Sequence, residues 1–214
     1  MKTLLVTFVG VTAFAVHAQV LFTYTFPGAD PAGDASAPTA DHLTISPFAR
    51  ANVSAASQND AFTSSRWTQT SAQDSTEYVS FSFRPDTGYE LAVTSLHWDT
   101  SRSSTGPQVG RVELFRNGLS LSTSPSFAVG TTSVPQSFDF SPASGTASDL
   151  FEFRFYGWQA SGTGNLRLDN VAVAGAVTPV PEPPASGLVL ATGLIGFAVR
   201  LFRRNRQPAA PQTA

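Results

Sequence analysis

The feature that most narrows what this chain can fold into is a strict alternation of aromatic and small or polar residues. Phe81 and Phe83 flank Ser82, and Phe151, Phe153 and Phe155 occupy every second position of their stretch. Successive side chains of an extended strand point to opposite faces, so each such run places its rings on one side. Phe22, Tyr24 and Phe26 repeat the pattern near the start. No stretch between Val20 and Ala176 carries a convincing helical period. The body is therefore expected to be all-β.

The remaining segments agree. Tyr78–Phe83 buries Val79 with Phe81 and Phe83, and the turn Pro85-Asp86-Thr87-Gly88 leads into a strand from Tyr89 to Trp98. Arg111–Phe115 and Leu119–Thr123 flank Arg116-Asn117-Gly118, and Asn-Gly between two strands is a strong hairpin signal. Ser137–Phe140 supplies Phe138 and Phe140, while Pro27 to about Thr39 reads as a polar loop. Many short strands separated by turns mean an antiparallel β-sandwich of jelly-roll type. The last strand breaks its own parity, since Leu166 and Leu168 are even whereas Val171 and Val173 are odd. A one-residue slip turns every side chain over, so a bulge or bend is expected at Asp169-Asn170. Trp98 shares parity with Leu96 but not with Leu91 and Val93, which leaves its face open.

The two ends read differently from the body. Residues 1–18 have one positive charge, Lys2, an apolar stretch from Leu4 to Val16, and Val16-His17-Ala18 as a cleavage site, the layout of a secretory signal peptide. Near the other end, Ser186–Phe202 contains no acid and one base, Arg200. As a helix it reaches ~25 Å, slightly less than a ~30 Å hydrocarbon core. Arg200, Arg203, Arg204 and Arg206 mark its cytoplasmic end. Pro181, Pro183 and Pro184 keep the preceding segment extended. The expected organisation is signal peptide 1–18, β-sandwich ectodomain 19–178, anchor segment 179–206 and polar tail 207–214.

Residues 19–178 hold 14 acids and eight arginines, a net charge of −6 that the basic anchor conceals in the total. An acidic body disfavours nucleic acid as a partner. The chain has no cysteine, so disulfides, thiol catalysis and cysteine metal sites are excluded, and stability must come from the core.

Pro181-Glu182-Pro183, the apolar run Gly187–Val199 and Arg203-Arg204, set opposite an N-terminal export signal, resemble the PEP-CTERM sorting signal of Gram-negative envelope proteins. The tail Gln207–Ala214 departs from that pattern, in which chains stop close to the arginines. The resemblance implies a processing partner, a membrane-embedded exosortase that cleaves at the motif. It also implies transient anchoring in the inner membrane with the body in the periplasm, then release to the cell surface or extracellular matrix. Phe81–Tyr89, Arg102–Pro107 and Arg167–Val171 look like the lectin-like jelly-roll body common in such proteins, over residues 75–175.

Within the body, Trp67, Trp98 and Trp158 either form a sugar-stacking platform or belong to the core, where large aromatics are usually found. Asp169 with Asp30 or Asp34 supplies hard oxygen ligands for a structural Ca²⁺, or else Asp169 makes an Asx-type turn at the bulge. No other cofactor is expected. His42 and His97 are the only histidines after residue 18, too few and too far apart for a zinc site or a triad, and Gly-x-Ser-x-Gly is absent. His97 near Asp99 forms at best a diad, and Glu113 and Glu152 read as solvated-face residues. Asn52-Val53-Ser54 matches a glycosylation acceptor, a pattern with little meaning in a bacterial envelope.

Three readings compete. The first is a non-enzymatic structural or adhesive protein of an exopolysaccharide matrix, and the second a stand-alone carbohydrate-binding module. The third, a glycoside hydrolase, requires two carboxylates facing each other across a groove, which nothing in the sequence nominates.

Overall fold

The computed structural model describes residues 18–28 and 40–181, and among them every regular element is a β-strand. One antiparallel sheet is built on β7 (Tyr89–Arg102) and β13 (Leu166–Pro179), which pair along nearly their whole length. The long strand β11 (Val134–Thr146) forms its edge beside β7. On the far side of β13 lie β1 (Gln19–Tyr24), along one half, and β5 (Phe62–Ser65) with β4 (Ser54–Ala55), along the other. In the second sheet β12 (Phe151–Trp158) is central, between β6 (Tyr78–Pro85) and β8 (Val109–Arg116). β2 (Leu43–Ile45) and β3 (Ala49–Ala51) pair with β6, and β9 (Leu119–Thr123) and β10 (Phe127–Ala128) pair with β8. From β6 to β8, and again from β11 to β13, the chain changes sheet at each strand. The result is the expected all-β, jelly-roll-like sandwich.

The alternating aromatics fill the space between the sheets. Phe81, Phe83, Phe151, Phe153 and Phe155 are all buried, as the shared parity requires. Phe22, Tyr24 and Phe26 meet them from β1 and the residues after it, with Phe22 5.1 Å from Phe83 and Tyr24 4.9 Å from Phe81, ring centre to ring centre. Phe48 packs at 4.9 Å on both Phe62 and Phe81, joining the two sheets. Arg50 on β3 also bridges them, lying 3.8 Å from the Phe62 ring and donating to Ser64 Oγ and the Thr63 carbonyl on β5.

Bulges explain both parity breaks. In β13, Asp169 pairs with Asp99 and Ala172 with His97, so two residues stand opposite Trp98. Asn170 takes the left-handed conformation, φ 49°, which asparagine tolerates better than most residues. The reversal turns Val171 and Val173 inward beside Leu166 and Leu168, and all four are buried. In β7 the partner of Ser95 is Ala174 and that of Val93 is Gly175, leaving Thr94 as the extra residue. Leu91, Val93, Leu96 and Trp98 therefore all face the core. At Asn117-Gly118 both φ angles are positive, 52° and 79°, matching a type I′ hairpin turn.

The stretch Arg102–Pro107 is a loop clamp. Arg102 donates to the carbonyls of Val129 and Ser104 at 2.8 and 2.7 Å, and Ser103 Oγ accepts the Asn165 amide at 2.7 Å. A side chain at Gly164 would overlap the Gly106 amide, so close backbone contact requires glycine there.

The compact β unit ends with Pro179. Residues 1–17 of the expected signal peptide 1–18, Asp30, Asp34, Glu182, Pro183 and the four arginines Arg200, Arg203, Arg204 and Arg206 lie outside the described residues, as does the expected span Ser186–Phe202. Among the described residues no helix is long and apolar enough to cross a membrane. Pro181 follows β13 as exposed, non-strand chain.

Candidate functional site

The three tryptophans do not form a platform. Trp67, Trp98 and Trp158 are only 2, 2 and 6% exposed, which corrects the sugar-stacking reading in favour of core residues. Trp67 Nε1 donates to the Ser64 carbonyl at 2.8 Å, anchoring the chain after β5. Trp98 faces inward because of the Thr94 bulge and packs at 5.4 and 5.7 Å on Phe127 and Phe155. Trp158 carries outward parity on β12, yet neighbouring loops cover it. Gln159 and Ala160 donate to Thr70 and Thr68 of the 66–77 loop, and the Arg111 guanidinium lies 5.8 Å from its ring.

The outward side of the second sheet is built from the residues between the buried phenylalanines. On β12 these are Glu152, Arg154 and Tyr156; cross-strand partners on β6 are Ser82, Ser80 and Tyr78, and on β8 Phe115, Glu113 and Arg111. Tyr78, Glu113, Glu152 and Arg154 are partly exposed, whereas Tyr156, Phe115 and Ser80 are 2, 8 and 7% exposed. Arg154 is central. Its Nε and Nη2 donate to one oxygen of Glu152 at 2.9 and 2.7 Å. Its guanidinium lies 4.6 Å from the Tyr78 ring and 4.1 Å from the Phe115 ring, so neighbours on both flanking strands hold its position. Burial works against this cation, but the hydrogen bond and charge of Glu152 outweigh it and raise its pKa. Side chains of Arg154 and Glu152 are 22 and 20% exposed, half sunk in the surface. Beside them Gln73 bridges Glu113 and Arg111, at 3.4 and 3.3 Å. Burial, reinforced by the Glu113 charge, pushes the Tyr156 hydroxyl up to about 12, against a hydrogen bond from Arg154 that works the other way. The strip thus presents the fixed Arg154 and Glu152 groups next to the partly exposed Tyr78 ring.

Reading the core parity alone missed this strip. The signal is nonetheless present, because the outward parity of the same strands reads Glu-Arg-Tyr on β12 and Arg-Glu-Phe on β8. Glu113 and Glu152 lie on the solvent face as expected, but as members of a network.

Asp169 stands on the outer face of the other sheet. Its Oδ1 accepts the amide of the next residue, Asn170, at 2.8 Å and its carboxylate also accepts the Phe26 amide, a local tie at the bulge that is not the bond to the second residue on that defines an Asx turn. Asn170 Nδ2 donates to Asp99 Oδ2 at 2.8 Å. Asp169 lines a cleft of about 240 Å³ with Asp60, Asp99, Asn59, Ser101 and Arg167. Among the described residues no three acids or histidines lie close enough to share a metal ion, and Asp30 and Asp34 are not described. His97 Nε2 lies 3.3 Å from Ser95 Oγ, and Asp99 serves Asn170, so the pair makes no diad. His42 stacks on Tyr89 at 3.7 Å.

Burial raises the Asp169 pKa, opposed by the two amides and reinforced by the charges of Asp99 and Asp60. A carboxyl with a raised folded-state pKa binds its proton more readily folded than unfolded. Its contribution to stability therefore grows as pH falls through the folded pKa and is complete below the unfolded value of about 3.9. Relative to Asp169→Asn, the native protein should gain stability between neutral pH and about pH 4. Thermal melts of both proteins across that range check this, and a difference that is constant or opposite in slope refutes it.

No protein family and no curated protein matches this chain. Solved structures do. One, published as "CBM4 structure and function", has 16% identity and TM-score 0.38, covering 60% of this chain and 94% of its own. A family 35 carbohydrate binding module from an environmental isolate has 13% identity and TM-score 0.27, covering 66% and 98%. An exo-beta-agarase has 10% identity and TM-score 0.33, covering 70% of this chain and 24% of its own.

Proposed function

We propose that the protein is an exported carbohydrate-binding module that engages extracellular polysaccharide through the outer face of the seven-stranded sheet. The observation that carries this reading is the Tyr78–Arg154–Phe115 strip with Glu152, Glu113 and Gln73 around it. Planar polar groups held in place pair with neighbouring hydroxyls at little cost in side-chain freedom, and the partly exposed Tyr78 ring takes the apolar C–H surface of a sugar. Non-catalytic binding suits this face, where Glu152 is occupied by Arg154. The same proposal retains export by residues 1–18 and sorting by the proline motif and arginine-flanked apolar run, with an exosortase-type enzyme as processing partner. Calcium held by Asp169 with Asp30 or Asp34 remains part of the proposal as a structural ion, in which case added calcium raises the melting temperature.

A panel of soluble polysaccharides in affinity electrophoresis tests the binding. At least one should retard the exported protein, and Arg154→Ala should weaken that binding by tenfold or more without loss of the folded melting transition. Arg154→Lys should also weaken it, because an ammonium lacks the planar fork. Absence of binding across the panel, or unchanged binding by both variants, overturns the reading and leaves the structural matrix role.

A further inference from the structure

The cleft on the outer face of the six-stranded sheet has a chemistry of its own. Asp60, Asp99 and Asp169 converge on it from three segments: the loop before β5, the middle of β7 and the bulge of β13. Two of these carboxylates are held rigidly by the fold. Asp60 Oδ1 accepts the Gly28 amide at 2.9 Å while its own amide donates back to the Gly28 carbonyl, which fixes Asp60 at φ 57°. Asp99 Oδ2 accepts from Asn170. The second oxygen of each has no partner among the described residues. Ser101, on β7 with the same outward parity as Asp99, also lines the cleft. It is 7% exposed, and its hydroxyl has no hydrogen-bond partner among the described residues.

Three carboxylates against one guanidinium, that of Arg167, leave the cleft with an excess of negative charge. The carboxylates raise one another's energy, and a cation relieves that repulsion. The acids are spread around a space of about 240 Å³ and no three are close enough to share a metal ion. A cation that carries hydrogen-bond donors of its own can span carboxylates set this far apart.

We propose that this cleft is a subsite for the primary ammonium group of an amino sugar, so that the polysaccharide recognised contains hexosamine with free amines. The proposal rests on the carbohydrate-binding reading and names its ligand class. The ammonium takes the unpaired oxygens of Asp60 and Asp99, and the Ser101 hydroxyl and the Asn59 side chain meet the flanking sugar hydroxyls. The acidic ectodomain favours the same polycationic partner at longer range.

Calorimetry with a glucosamine hexamer and an N-acetylglucosamine hexamer at pH 6 and low salt tests the idea on the exported protein. The amine form should bind at least tenfold tighter, and the advantage should shrink with added salt. Asp60→Asn with Asp99→Asn should abolish the advantage, and Ser101→Ala, a milder change, should reduce it with the melting temperature retained. Equal affinity for the two hexamers, or a preference that survives the double substitution, overturns the subsite. The two readings fail separately. Amine preference lost in the Asp variants but kept in Arg154→Ala upholds the cleft and removes the strip, whereas neutral glycan binding without amine preference upholds the strip and removes the cleft. No saccharide binding at all removes both.

Discussion

Phe81→Ala is expected to destabilise the fold by about 4 kcal/mol, within the range for emptying a packed aromatic site. Phe81 sits where the sheets are joined most densely. Its ring meets Phe22 and Tyr24 from β1, Phe48 from the β2–β3 link, Phe83 on its own strand, and Phe153 and Phe155 on β12. Six rings cannot all move into the vacated space, because each is also held by others; Phe48, for instance, is fixed against Phe62 at 4.9 Å. The cavity therefore persists, and the lost contacts add to the transfer term. With no disulfide to add stability from elsewhere, the fold depends on this core. For a domain of this size it corresponds to a fall of about 10 °C or more in Tm. Urea titration and calorimetry measure it, and a loss below about 1 kcal/mol would refute the central place given to this ring.

Replacing Pro181, Glu182 and Pro183 together by alanine is expected to change where the protein is found, from released to membrane-retained. Access and anchoring both lead to this outcome. β13 ends at Pro179, so a cut in the proline segment removes no strand of the sandwich. The apolar run that follows is barely long enough to span and contains Gly187, Gly193 and Gly196, which suits a temporary anchor. In the proposed sorting, a chain without the motif gives the processing enzyme nothing to recognise, and the arginines hold the uncut form at the membrane. Mass spectrometry of released native protein should find an N-terminus near Gln19 and no residue of 187–214. Peptides spanning Leu188 to Arg200 in the released fraction would show that the segment is not a sorting signal.

The candidate site was only partly legible. Asp169-Asn170 could be singled out, because a parity break within one strand is visible in one dimension. Asp60 and Asp99 could not be joined to it, since they lie far away in the chain and meet it only after β5, β7 and β13 assemble. The faces of the tryptophans were hidden for a related reason. Parity assigns a face only while pairing is regular, and the Thr94 bulge reversed it just before Trp98. For Trp158, outward parity was cancelled by a loop that folds back over β12.

The fold class, the main strands, the Asn117-Gly118 hairpin and the bulge at Asp169-Asn170 could all be read from the chain alone. Each follows from local periodicity or from the backbone preferences of single residues. Short pieces such as β2, β3, β4, β5 and β10 went unseen, because two to four residues carry too little period to stand out and are fixed by pairing with neighbours. Which strands share a sheet, which outward residues stand side by side and what covers them emerged only with the assembled sandwich. Hydrophobic burial is non-directional and specifies that rings go inside; the strand order that sets Arg154 between Tyr78 and Phe115 comes from how whole sheets pack.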